Sequence, residues 1–242
     1  MKGTMSTPIV IFDIDGTLCD TFAVDEECFR RACGDVLQVD WSALDWQSAP
    51  HITDAGICDW FWRRHLERPP TPVELNRVAS LYVAFLREEL ERDPTRFKAT
   101  RGAATLLKHL ADSGWEIAVA TGGWSAPAQL KLTAAGLDPD LLSASSDDAL
   151  ERLKVFQLAE TRARSRVSGQ VGRTVLVGDG LWDIRVASTH GWCFLGITST
   201  VGEDQLIRAG ARVVIRDFGD PDHVTEALRS ATIPQPIEKI GR

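Results

Sequence analysis

Three short segments of the chain place reactive side chains directly after apolar runs. Asp13-Ile14-Asp15-Gly16-Thr17-Leu18 follows Phe12, Thr121-Gly122-Gly123 follows Ala120, and Gly178-Asp179-Gly180-Leu181-Trp182-Asp183 follows Val177. In the first, extended backbone puts Asp13 and Asp15 on one side, so two carboxylates can face one reacting centre. Gly16 then allows a sharp turn away from it. In the second, a hydroxyl and unobstructed backbone N–H groups stand just ahead of a helix expected to begin near Ser125 and Pro127, which makes a cradle for an anion. In the third, two acids four residues apart offer hard oxygen ligands, which suit Mg²⁺ together with waters and a substrate phosphate. Each pattern also occurs as a plain turn. Their convergence points to a site, because ligands of open α/β sheets bind beyond the carboxyl ends of the strands.

The elements that must position these residues are legible in the hydrophobic rhythm. Residues 9–12, 117–120 and 175–177 are short continuous apolar runs, as expected of strands buried on both faces of a parallel sheet. Residues 193–197 and 213–215 are weaker candidates of the same kind. Helical stretches alternate with them: Ala103, Leu106, Leu107 and Leu110 on one face, residues 130–135 stopped by Gly136, and residues 155–163. Strands alternating with helices predict a doubly wound, Rossmann-like α/β core. Residues 19–95 read differently, as helices only. Phe29 and Cys33 share a helical face, as do Ile57, Trp60 and Phe61, and Leu75, Val78, Tyr82 and Phe85. The last of these helices opens on Thr71-Pro72-Val73-Glu74, a capping box with proline at the first helical position. The tail from Thr232 is expected to be irregular and mobile.

Charge separates the same two parts. Residues 19–95 carry 15 acidic and 8 basic side chains, a net of −7 that equals the net charge of the whole 242-residue chain. An acidic balance of this size argues against a nucleic-acid partner, since phosphate neutralisation needs a basic surplus, and against an anionic membrane surface. No apolar stretch approaches the ~20 residues of a membrane span, and residues 1–8 lack an apolar leader. The five cysteines show no CxxC spacing, so buried thiols in a reducing compartment are expected instead of disulfides or a zinc site. The expectation is a cytoplasmic protein, with its oligomeric state open and a monomer compatible.

With these motifs in place the sequence resembles the haloacid dehalogenase-like (HAD) superfamily, in particular its phosphoglycolate phosphatase and beta-phosphoglucomutase-like group with a helical cap. Residues 13–18 look like the first motif, Thr121 the second, and Gly178 to Asp183 the fourth. The third is a lysine, and Lys154, twenty-five residues before Asp179, is similar in position; Lys131, inside the helix after Thr121, fits poorly. The resemblance implies an α/β core from residues 1–18 and 96–242 and an inserted helical cap at 19–95. It implies Mg²⁺ held by the Asp13 and Asp179 carboxylates and the Asp15 backbone carbonyl, with Asp183 steadying the metal's shell or Lys154. It implies Asp13 as the nucleophile that forms an aspartyl-phosphate, and Thr121, Gly122 and Lys154 as the donors to the substrate phosphate. Asp15 would protonate the departing alkoxide and later deprotonate water, which favours phosphate over C–halogen chemistry.

The reading that results is a Mg²⁺-dependent phosphatase for a small phosphorylated metabolite. A phosphosugar mutase uses the same two acids, and an Asp-phosphorylated receiver module also ends strands in acids but predicts no cap. Within the cap, Thr53 or Asp54 is expected to be a helix N-cap, Trp60 to be buried, and Trp62 to be a candidate for substrate contact. Trp182 is expected to pack.

Overall fold

The computed structural model describes residues 6–235. Six parallel strands form one sheet in the order β5-β4-β1-β6-β7-β8. They are β1 (Thr7–Phe12), β4 (Glu116–Ala120), β5 (Leu142–Ala144), β6 (Val171–Gly178), β7 (Cys193–Ile197) and β8 (Val214–Ile215). A separate antiparallel pair, β2 (Cys19–Asp20) and β3 (Lys98–Ala99), ties the two chain segments that lead into and out of the inserted helices.

Alternation along β1 sends its side chains to two cores. Val10 and Phe12 pack with α4 (Ala103–Asp112), α5 (Ser125–Ala134) and α9 (Pro221–Ser230) on one face. Ile9 and Ile11 pack with α6 (Arg152–Arg166), α7 (Leu181–His190) and α8 (Glu203–Arg208) on the other. This two-faced burial is why the strands read as continuous apolar runs. After β5 the chain crosses back by α6 to β6, on the opposite side of β1. The order of strands therefore reverses at β1, where a crevice opens at the carboxyl ends.

The inserted helices are α1 (Phe22–Leu37), α2 (Asp54–Leu66) and α3 (Pro72–Arg92). They build an apolar cluster of their own, in which Phe29 meets Tyr82 edge-on with centroids 5.6 Å apart. The α3 capping box is present: the Thr71 hydroxyl accepts from Glu74 N, and the Glu74 carboxylate accepts from Thr71 N.

Two expectations about this part are corrected. Trp62 is fully buried inside the cluster and cannot touch a substrate, whereas Trp60 is only half-buried. Helix α2 buries Ile57, Cys58, Phe61 and Trp62, a stripe turned by one residue from the one expected, because it packs between its neighbouring helices and the sheet's loops. At the other end of the chain, Thr232 forms a bridge with Phe194, so the irregular tail begins later than expected. Residues 236–242, where that expectation continues, lie outside the described residues, as do residues 1–5. Among the described residues no helix is long and apolar enough to cross a membrane.

Candidate active site

Strand register assembles the site. Phe12 pairs with Val119 on one side and Val177 on the other, so Asp13, Thr121 and Asp179 all emerge at one level of the sheet edge. Asp13 follows the alternation of Ile9 and Ile11 and turns toward α6. Gly16 then reverses the chain with φ +79°, and a Cβ there would lie 2.1 Å from Asp179 Oδ2, so only glycine fits. Gly122 is equally constrained: a Cβ would meet the Ile52 carbonyl oxygen at 2.5 Å and Arg152 Nη1 at 2.6 Å.

Asp13, Asp179 and Asp183 are buried, and each offers a carboxylate oxygen within 4.8 Å of the others. Burial pushes the Asp13 carboxyl well above its ordinary range, opposed by the Arg152 guanidinium and reinforced by Asp183 and Asp179. Burial and the Asp183 charge push Asp179 up to about 7, although Thr200 N donates to it at 3.1 Å. Three buried acids with one shared guanidinium are short of positive charge. All three are hard oxygen donors, without a histidine or cysteine in the group, and such a set fits a divalent ion of the Mg²⁺ kind. The Asp15 carboxylate is not among them. It accepts from Thr21 Oγ1 at 2.6 Å and from Lys131 Nζ at 2.5 Å.

Thr121 is buried at the cleft, where its hydroxyl accepts from Gly123 N at 3.0 Å. The inserted helices are docked against this turn: Asp54 N donates to the Gly122 carbonyl at 2.8 Å, and Trp124 N donates back to Asp54 Oδ2 at 2.8 Å. Between the sheet edge and the inserted helices lies a cleft with a cavity volume of about 80 Å³, partly open to solvent.

A family model of the haloacid dehalogenase-like hydrolases matches residues 7–191. The chain belongs to this family. A probable phosphatase of Dickeya dadantii, IndB, is 27% identical over 224 residues, covering 91% of this chain and 94% of that protein. The phosphoglycolate phosphatase of Mesorhizobium japonicum is 25% identical over 234 residues, covering 95% of this chain and 91% of that one. The crystal structure of a hydrolase from Pseudomonas syringae shares the fold, with TM-score 0.69 at 21% identity over 90% of this chain and 98% of that one.

Within this HAD-like hydrolase the expected lysine is the clearest correction. Lys154 is exposed and donates to Gln157 Oε1 at 3.1 Å, away from the cleft. Arg152 stands there instead. Its Nη2 donates to Asp13 Oδ1 at 2.8 Å and to Asp183 Oδ1 at 2.7 Å. Lys131, the poorer fit to the third motif, is fully buried, and its ammonium contacts both Asp15 and Asp25. The signal for Lys131 was present: Ala128, Lys131 and Leu132 share one helical stripe, and a lysine inside a buried stripe demands a carboxylate partner. Of the two expected N-cap candidates, Asp54 is the first residue of α2 and not its cap. Thr53 caps α2 by accepting from Gly56 N at 3.0 Å, and Asp54 lines the cleft. Trp182 packs edge-on against Trp46 with centroids 5.7 Å apart, and its ring also walls the cleft.

Proposed function

We propose that this hydrolase is a Mg²⁺-dependent phosphatase that cleaves a small phosphate monoester through an aspartyl-phosphate on Asp13, with residues 19–95 as its cap. The observation that carries the reading is the pairing of two acids in unlike settings at the end of β1. Asp13 lies among acids and Arg152, and Asp15 is held apart by Thr21 and Lys131.

An Asp13 carboxylate oxygen attacks phosphorus while the bond to the leaving oxygen breaks. Asp15 in its acid form gives its proton to that oxygen, so a neutral alcohol departs. Asp15 then takes a proton from water as the water attacks phosphorus, which frees Asp13 and inorganic phosphate. Thr121, the Gly122 N–H and Arg152 supply fixed donors to the phosphoryl oxygens, in a site where burial strengthens each of them. The acid cluster of Asp13, Asp179 and Asp183, with the Asp15 carbonyl, would hold Mg²⁺, whose charge would offset that of the nucleophile and the phosphoryl oxygens.

The test is turnover of p-nitrophenyl phosphate with and without chelator, alongside acid-quench trapping of phosphoenzyme. Activity should vanish in chelator and return with Mg²⁺, and Asp13→Asn should abolish both turnover and trapped phosphate. Asp15→Asn should lose ~10²–10⁴-fold on an alkyl phosphate and less on the aryl ester, whose leaving group needs no proton. Full activity in excess chelator, or phosphoenzyme in Asp13→Asn, would overturn the mechanism.

A further inference from the structure

The two ends of the cleft differ in chemistry. At the sheet end stand the acids, Thr121, Gly122 and Arg152. Toward the cap stand Phe22, Phe29 and Trp46, joined by Trp182 of α7, and the rings of Phe22, Trp46 and Trp182 form a wall. Trp46 joins it up, meeting Phe22 at 6.1 Å and Trp182 at 5.7 Å, both edge-on. Its indole N–H is already used, donating to Glu26 Oε1 at 2.9 Å, so Trp46 offers the cleft the face and edge of its ring.

The charged groups beside that wall are Asp25, Glu26 and Asp54, all acids. Among the described residues that line the cleft, Arg152 is the one cation, and its Nη2 is engaged with Asp13 and Asp183 at the sheet end. Lys131 lies behind the lining with its ammonium between Asp15 and Asp25. Arg30 pairs with Glu26 at 3.2 Å from outside the cleft and donates to the Ser42 carbonyl at 2.7 Å. No cation lines this end of the cleft, so a carboxylate or second phosphate placed there would lie in a partly desolvated space without a charge partner.

Resting on the phosphatase reading, we infer that the ester this site takes carries an aromatic or apolar alcohol part with no anionic group of its own. The phosphate is received at the sheet end, and the ring wall receives the alcohol by burial and edge-to-face contact. The substrate is thereby unlike phosphoglycolate, whose carboxylate would sit among Asp25, Glu26 and Asp54.

The experiment compares kcat/KM for 2-phenylethyl phosphate and phosphoglycolate, two primary alkyl phosphates, with the whole chain in saturating Mg²⁺. The phenylethyl ester should be favoured by about tenfold or more. Phe22→Ala should lower that preference at least about fivefold, acting mainly on KM for the phenylethyl ester. Glu26→Gln keeps an acceptor for Trp46 and removes a charge, so it should raise kcat/KM for phosphoglycolate several-fold. Phosphoglycolate turned over as well as the phenylethyl ester would overturn the inference and leave a phosphatase standing, as would a preference that neither variant moves. A protein that turns over neither ester nor p-nitrophenyl phosphate would overturn the phosphatase reading itself, and this inference with it.

Discussion

Arg152 is the first residue of α6, and Lys154 is two residues further on. At ~100° per residue the two side chains point to nearly opposite sides of the helix, so at most one can reach the sheet edge. The guanidinium gains the inner position with Asp13 and Asp183, which together hold its pKa above the ordinary arginine value against the opposing effect of burial. Arg152→Ala leaves those carboxylates buried without their partner. It should cost about 3–5 kcal/mol in metal-free protein and lower kcat by ~10²-fold or more, measured by denaturant unfolding and steady-state kinetics. Lys154→Ala should stay within ±0.5 kcal/mol with unchanged kcat. A large loss in Lys154→Ala with Arg152→Ala unaffected would reverse the assignment. At this scale the acids were legible, because strand ends announce them. The cation was not, because a charged residue in a first helical turn gives no sign of which face it will take.

Helix α2 enters the molecule as a latch. Its N-terminus is held by Thr53 Oγ1 donating to the Leu150 carbonyl at 2.5 Å, by Ala55 N donating to Ser146 Oγ at 3.1 Å, and by the exchange between Asp54 and the turn at Gly122 to Trp124. Burial, with the Asp25 charge adding to it, raises the Asp54 carboxyl well above its ordinary range, opposed by the Trp124 N–H. An unfolded aspartate titrates near ~3.9, so the stability this group contributes is whole below about pH 4 and is lost as pH rises through its folded value. Asp54→Asn keeps an oxygen for Trp124 and does not titrate. Its stability relative to the parent should therefore grow from pH 4 upward, by at most about 1.4 kcal/mol per pH unit in that window. Thermal unfolding of both proteins at pH 5 and pH 8 checks this; an equal difference at the two pH values would count against it.

Across the whole molecule, Lys131 is the buried charge that joins the two parts. It projects from α5 of the core to Asp15 after β1 and to Asp25 on α1, and the Tyr82 hydroxyl of α3 donates to the same Asp25. Burial alone would lower its pKa, but the two carboxylates hold it above the ordinary lysine value. Burial and the Asp15 charge meanwhile raise Asp25 to about 6 despite Lys131. Lys131→Met strands two acids and should cost about 3–5 kcal/mol. The added change Asp25→Asn should recover part of that loss, since the two positions share one network. Denaturant unfolding of the single and double variants measures the recovery, and strict additivity would show that Lys131 and Asp25 act independently.

What the amino-acid sequence determined by itself was the α/β alternation, the helical and acidic character of residues 19–95, and the three acid- or hydroxyl-bearing strand ends. Each of these is written in local periodicity, composition or turn chemistry, which need no knowledge of neighbours. Only the tertiary structure decided that Arg152 and not Lys154 meets Asp13, that Lys131 joins the sheet's Asp15 to Asp25 of the inserted helices, and that Trp62 is interior while Trp46 and Trp182 wall the cleft. Those outcomes depend on which helix face meets which partner. A long cationic side chain or a large ring can serve surface or interior equally well, and packing across residues far apart in the chain makes the choice.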